Sequence, residues 1–548
     1  MPRKDFYIQQ HLFRLLLASM VSLSIPAQSS AAAPQYQASA SERPALVLNL
    51  VVDGLDREYI EHLMEYFGEG GFKKLFGEGV VFNNVDFGTS LSTAAATSVL
   101  LTGAPPQVTG ITSDLIYNPE KQRPYPALHD PATLGNYTDE TFSASTLKVS
   151  TIADELAICG AGTSQIYSIA PDPSQAILMA GHAGTNAAWL SDRNANWATS
   201  TYYRDVPTVL SYRNRLKPLG QRIDTMTWAP SATTIALPVI PEWVRRYPFK
   251  HTVGRDPQWK VTKFKNSPLY NNEATEMARE YISQLSLGKH GGTDMLSVGY
   301  SLEPFLFTKY ADTQFETADA YIKLDRNIAQ LLSDIDRSIG LRNTLVLLAA
   351  TPPEPTTRRE DDKWRLPYGQ YSPRKAISLL NLYLIALHGN GEWISGYYDR
   401  YFYLNRELIK ERQIDLQTIQ RETADFLKRM AGISDAYTIG DIIDGHAGEN
   451  PAALRRNTSY LTAGDVLVEL APGWEVVDVP FNDTYRLNDI SLVTRGVIPT
   501  ASAVILAPDV AAREIDTPVD ARSIAPTICR LLRIRSPNGS STPPVKLK

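Results

Sequence analysis

Apolar runs of strand length recur along the chain: "ALVLNLVVDG" (45–54), "QIYSIA" (165–170), "DMLSVGYS" (294–301), "NTLVLLAAT" (343–351), "LYLIALHG" (382–389), "DVLVEL" (465–470) and "SAVILAP" (502–508). They are nearly continuous rather than alternating, as expected for strands buried on both faces of a parallel sheet. Between them lie helical patterns. In "ETADAYIKLDRNIAQLLSDIDRSIG", Tyr321, Leu324, Ile328, Leu331 and Ile335 step by three and four, which predicts a helix with one face packed on the sheet. Strand and helix in alternation predict an α/β fold with a mostly parallel central sheet flanked by helices. Residues of about 206–290 and 352–460 fit the alternation less well and read as cap-like inserts, because long excursions from a core are usually surface or binding elements. The remainder, from residue 45 to 548, reads as a single domain.

The N-terminus has its own pattern. "MPRKDFYIQQHLFR" is a basic leader, "LLLASMVSLSI" an apolar stretch and "PAQSSAAAP" a run of small residues, so residues 1–33 read as a signal peptide and the mature chain as exported. The apolar stretch is shorter than the roughly 20 residues of a membrane span, and no later run is long enough, so no transmembrane segment is expected. Across 548 residues the hydrophobic share is 43%, the charged share 21% and the net charge −5, which gives no electrostatic reason to expect nucleic acid as a partner. Only Cys159 and Cys529 are present, which excludes a disulfide framework and a cysteine-rich zinc site. One bridge and two separate thiols both remain open.

The strand ends carry the chemistry, since ligands of α/β sheets sit at the carboxyl ends of strands. The first strand ends in Asp53, which suits a metal or nucleotide ligand and equally a turn before Gly54. In "GTSLSTAAATSVLLTG", Ser92 or Thr93 suits the N-cap of an Ala-rich helix, and a hydroxyl there could also face an anion. The strand "NTLVLLAAT" ends in Thr351, Pro352 and Pro353, and neither proline can bind a metal or take a proton.

"LVVDG", "FGEGGFKKLFGEGVVFNNV", the Thr93 loop, "LLTGAPPQVTGI", "AGHAGTNAAWL", "NWATSTYY", "YIKLDRNIAQLLSDID", "AGDVLVELAPGW" and "DARSIAPTICRLLRIRSPNG" together resemble, in order, the alkaline phosphatase superfamily. The likeness is to its large monomeric, phosphate-irrepressible branch with a threonine nucleophile. It implies an alkaline-phosphatase-like sandwich and a two-zinc phosphomonoesterase, in which two metals clamp the attacking and leaving oxygens. Asp53 matches the first ligand and Thr93 the nucleophile. The other ligand positions fall on Pro304, Thr308, Thr351, Pro352 and Ala501, and the phosphate-contacting positions on Ser113, Asp172 and Ser174. Glu303, Asp312, Glu354 and His446 lie near enough in sequence to be weighed as substitutes, but none has a partner at ligand spacing.

The resemblance therefore predicts an inactive homologue, a pseudoenzyme with no cofactor. Its role would be that of an exported binding or assembly subunit of an envelope protein complex, in a bacterial periplasm or at the cell envelope. Its partner would be another envelope protein of unknown identity, met by Tyr, Trp and Arg of the inserts, residue types favoured at interface centres. The alternative is an active metal-dependent phosphomonoesterase or phosphodiesterase with a reduced or relocated site, which would use zinc. A third reading is a metal-free binder of a small anion at the helix N-terminus after Ser92 and Thr93.

Overall fold

The computed structural model describes residues 43–204, 206–231, 249–255, 257–302, 314–352, 356–358, 369–477, 492–494 and 501–547. The apolar runs form the strands β1 (Leu46–Asp53), β2 (Val80–Asp86), β3 (Ile166–Ala170), β4 (Asn186–Leu190), β5 (Asp294–Ser301), β6 (Thr344–Thr351) and β7 (Ala501–Leu506) of one large sheet. The first seven residues of β1 and all of β5 and β6 are buried, as continuous apolar sequence requires. The sheet order is Arg513–Ile515, β2, β7, β6, β1, β5, β3, β4, Trp197–Ser200, Gly135–Asn136. β1 pairs in parallel with β5 and β6, β5 with β3, and β3 with β4. β7 runs antiparallel between β6 and β2. The fold is thus the expected α/β architecture with a mostly parallel centre.

The helices that position the site and its surroundings are α1 (Thr93–Thr102), α2 (Ile152–Cys159), α3 (Pro173–Ala180), α4 (Gln314–Ser338) and α5 (Pro373–His388). On α4 the five residues named for their spacing are all buried in the main core. The same helix carries Asp325, whose carboxylate accepts the backbone N–H groups of Gly68 (2.9 Å) and Phe72 (2.8 Å) and so satisfies amides at the start of helix Phe72–Glu78. A Cβ at Gly71 would come within 2.2 Å of that carboxylate, so the close approach requires glycine.

Two strand expectations need correction. "LYLIALHG" (382–389) is not a strand but the second half of α5. The helix begins at an N-cap, Ser372, whose hydroxyl accepts the Lys375 N–H at 3.3 Å, followed by Pro373 in the first turn. Its buried Ala376, Leu380 and Leu384 lie at helical spacing, while Leu379, Leu382 and Leu387 are exposed. The apolar run was continuous because an outward apolar row lies beside the inward one. The strand Val466–Leu470 forms where expected, but outside the main sheet. It joins Ile394–Tyr398, Tyr401–Leu404 and Ile433–Thr438 in an antiparallel sheet of four.

That smaller sheet covers a second apolar core containing Leu380, Leu384, Trp393, Phe402, Ile419 and Val466. The stretch 206–290 instead feeds the main core, through Val209, Leu210, Phe264, Tyr270, Met277 and Tyr281. Cys159 is exposed and Cys529 buried, both as free thiols. No helix among the described residues is long and apolar enough to cross a membrane. The residues read as a signal peptide lie outside the described residues.

Candidate functional site

The parallel register sets three strand ends abreast: Asp53 of β1 lies between Ser301 of β5 and Thr351 of β6. The chain leaves β1 through Gly54, whose φ of 75° is in the left-handed region and whose N–H donates to the Thr351 carbonyl at 3.3 Å. α1 then brings Thr93 to the same place. It starts at Ser92, the N-cap, and is buried from Ala94 to Thr102, so the helix has little freedom to shift.

Thr93 Oγ1 donates to Asp53 Oδ2 at 2.9 Å, and Thr351 Oγ1 donates to Asp53 Oδ1. Both oxygens of the one matched ligand therefore accept hydroxyl protons from the protein itself. Thr351 is fully buried. The strand end that looked vacant holds a donor fitted to Asp53.

A second carboxylate, missed by the sequence reading, faces this pair. Asp114 Oδ1 accepts the Ala94 N–H at 3.1 Å. Burial, then the neighbouring Asp53 charge and more weakly that of Asp172, push its pKa up from 3.8 to about 7, against the opposing hydrogen bonds from Ala94 and Ser92. Asp114 is the residue after Ser113, the position at which the resemblance expects a phosphate contact. The acidic neighbour was visible in the sequence, but only the contact with Ala94 singles it out.

Asp172 precedes α3 and lies 2.8 Å from the ammonium of Lys265, which meets Asp192 at the same distance. Lys265 is buried. Burial opposes its charge, but the two carboxylates outweigh burial and raise its pKa above the ordinary lysine range. Lys265 was not foreseen, because nothing in the composition of 206–290 marks which cation turns inward.

Thr93, Asp53 and Thr351 are thus brought together, with Asp114 close by, and Asp172 is near enough to add to the repulsion at Asp114. Ser174 is buried within α3. Ala501 opens β7 and pairs with Val85 of β2. Pro352 is buried just past β6. His446 is exposed and its backbone N–H closes helix Ile439–Asp444 on the Asp441 carbonyl at 2.8 Å. Pro304, Thr308, Glu303, Asp312 and Glu354 lie outside the described residues.

Two zinc ions need sets of His nitrogens and carboxylates converging at bonding distance. Among the described residues no group of three or more His, Cys, Asp or Glu side chains is gathered to hold an ion. Thr351, Pro352 and Ala501 offer no His nitrogen or carboxylate, so among these positions Asp53 alone carries one. These residues do not fit a two-zinc centre. At the helix N-terminus the Ala94 N–H is bound to Asp114 and the Ala95 N–H to Ser92 Oγ at 3.4 Å. A phosphate dianion entering here would meet Asp53 and Asp114, with Asp172 adding to the repulsion.

Residues 47–351 match the family described as type I phosphodiesterase / nucleotide pyrophosphatase. Similar proteins include one described as a calcium-transporting ATPase from Myroides odoratus, 27% identical over 92% of this chain and 94% of its own length. Alkaline phosphatase PhoV of Synechococcus elongatus is 25% identical over 95% of this chain and 97% of its own. Alkaline phosphatase PafA of Elizabethkingia meningoseptica is 23% identical over 97% of this chain and 98% of its own. The crystal structure of wild-type PafA shares the fold with a TM-score of 0.75 at 22% identity, covering 92% of this chain and 98% of that one. As the family match spans more than half of the chain, this chain belongs to the type I phosphodiesterase / nucleotide pyrophosphatase family, within the alkaline phosphatase superfamily.

Proposed function

We propose that this chain is a catalytically inactive member of its family, exported and serving as a binding or assembly subunit of an envelope protein complex. The observation that carries the reading is the state of Asp53, whose two carboxylate oxygens accept hydrogen bonds from Thr93 and Thr351. A hydroxyl nucleophile needs a base, a metal or a lowered pKa to react. The carboxylates that surround Thr93 would repel an anionic phosphate ester, and the buried cation Lys265 is bound by Asp172 and Asp192. Removal of one oxyanion donor alone typically costs about 10²–10³ in rate. On the residue matches that the resemblance implies, most ligands and the phosphate clamp are replaced together, which supports an inactive site.

The surface for a partner would lie on the insert of 352–460. Of the aromatic residues of the inserts, Trp228, Tyr270, Tyr281, Tyr371 and Tyr397 are buried, while Tyr212 is 47% and Tyr460 58% exposed. Among the described residues of the 352–460 insert the exposed leucines are Leu379, Leu382 and Leu387 of α5, 47%, 64% and 50% exposed. Exposed leucines this close together on one helix are poorly solvated by water. The protein extracted under native conditions from its own cell envelope is expected to run in a complex with another chain. Recovery as a monomer alone, across gentle extraction conditions, contradicts the assembly role.

A second reading has support from the comparisons, because four of the similar proteins are described as alkaline phosphatases. On that reading the chain is a metal-dependent phosphomonoesterase or phosphodiesterase with a reduced or relocated site. It requires zinc bound in stoichiometric amount and turnover of a phosphate ester by the purified protein, and inertness with no bound metal removes it.

A further inference from the structure

His182 lies in the loop after α3, away from the strand-end carboxylates, and both of its ring nitrogens face acceptors. Nδ1 is 3.0 Å from Asp154 Oδ2 on α2, and Nε2 is 2.9 Å from the Leu147 carbonyl oxygen. A neutral imidazole has one N–H and one lone pair, so it can serve only one of these oxygens and must turn its lone pair on the other. Only the imidazolium donates to both. Asp154 is built to receive it: the Thr151 N–H (2.8 Å) and Oγ1 (3.0 Å) also donate to Oδ2, and the Ala183 N–H donates to Oδ1 at 2.7 Å.

The Leu147–Lys148 peptide is held at both ends. Its carbonyl accepts from His182, and its N–H, on Lys148, donates to the Thr109 carbonyl at 2.9 Å. Thr109 ends the short helix Pro106–Thr109, and its hydroxyl lies 3.3 Å from Ser98 Oγ on α1. The next residue, Gly110, has φ 83°, and a Cβ there would press on the Lys148 side chain at 3.1 Å and on the Thr146 carbonyl at 3.3 Å. From this turn the chain runs directly to Asp114. The segment Ala144–Val149 is therefore a strap between the His182–Asp154 pair and the turn that carries Asp114.

We infer that protonated His182 is a pin that fastens this strap, and that its loss of a proton releases the Leu147 carbonyl and loosens the strap against the Thr109–Gly110 turn. Of its two contacts, the one to the Asp154 carboxylate is charge-assisted and persists, while the one to the neutral carbonyl is given up. The hydrogen bond from Asp154 raises the His182 pKa above its ordinary value, burial works against this, and the Asp154 charge and the Leu147 carbonyl add to the rise. Burial likewise opposes the charge on Asp154, yet hydrogen bonds from His182, Thr151 and Ala183 hold its carboxyl below the usual range. The other titratable groups around the pin are Glu155 on α2, bound by Ser150 Oγ at 2.6 Å, Lys148 on the strap, and Asp130, bound by Ser143 and Ser145. Tyr202 and Tyr203 complete the set, and Tyr203 OH donates to the Gly181 carbonyl at 3.1 Å. Of these carboxylates, Asp154 is the one that accepts from the His182 ring.

The sign follows from the raised pKa. The closed strap is fully favoured below the free histidine value of about 6.5 and loses favour as pH rises from there through the folded pKa. The test is hydrogen–deuterium exchange of the full mature protein from pH 5.5 to 8.5, corrected for intrinsic exchange. In the wild type, protection of the peptide containing Leu147 and Lys148 is expected to fall above pH 6.5 by up to about tenfold per pH unit, while that of β1 does not. In His182→Gln, which keeps hydrogen-bonding groups but no titrating charge, strap protection is expected to be lower and flat. A flat wild-type profile, a fall shared by β1, or the same fall in His182→Gln overturns the pin. Should the variant not fold, the wild-type profiles of strap and β1 decide alone.

Discussion

Thr351 donates its hydroxyl proton to Asp53 across the parallel ladder of β6 and β1, on the carboxylate oxygen that Thr93 leaves open. The resemblance expects a metal ligand at this strand end, and the structure places there a hydroxyl that donates to Asp53. The three side chains form one hydrogen-bonded unit.

Thr351→Val tests that unit, because valine keeps the shape and deletes the donor. The hydroxyl is fully buried, so its loss leaves Asp53 short of a partner and is expected to lower stability by about 1–3 kcal/mol, read from the urea midpoint. A midpoint unchanged by the substitution contradicts a structural role for the pair.

Asp114 predicts a pH dependence. Its pKa rises from 3.8 to about 7, first through burial and then through Asp53. Between those values the folded protein keeps a proton that the unfolded chain has released, so stability present at acid pH is lost as pH rises through about 7. Asp114→Asn cannot ionise and keeps an oxygen for the Ala94 N–H. It is expected to match the wild type near pH 4 and to exceed it at pH 8 by on the order of 1–3 kcal/mol, seen as a higher Tm. Equal melting temperatures at pH 8 count against the crowding of carboxylates.

Much of the fold was legible because burial on both faces leaves a plain mark. β1, β3, β5, β6 and β7 come within a residue or two of the apolar runs that predict them. The exception at 382–389 arises because α5 is apolar on its outer side as well as its inner one, so the helical period is erased locally. Asp53 and Thr93 were legible from position and resemblance. Thr351 was visible only as something missing, since a sequence shows the absence of a ligand but not the hydrogen bond that replaces it. Asp114 and Lys265 take their roles from long-range contacts that no local pattern encodes.

Lys265→Met tests the second charged group. The change removes a buried ammonium and leaves Asp172 and Asp192, whose side chains are 52% and 29% exposed and can regain water. The expected loss is therefore about 1–3 kcal/mol, below the cost of stranding a fully buried charge. A gain in stability contradicts the assignment of Lys265 as the partner that permits Asp172 at this place.

Leu382→Glu addresses the exposed leucines on α5. The side chain is 64% exposed, so the isolated protein is expected to keep its stability within about 0.5 kcal/mol. The native complex is expected to weaken, seen as a shift to lower mass by light scattering. Unchanged assembly places the contact elsewhere.

The most direct test of the central claim is the zinc content of the purified mature protein, by mass spectrometry after dialysis against trace zinc, with a phosphate-ester assay on the same sample. The account predicts no stoichiometric zinc and no turnover above that of a Thr93→Ala control. Two tightly held ions with turnover abolished in Thr93→Ala contradict it and establish a working phosphatase.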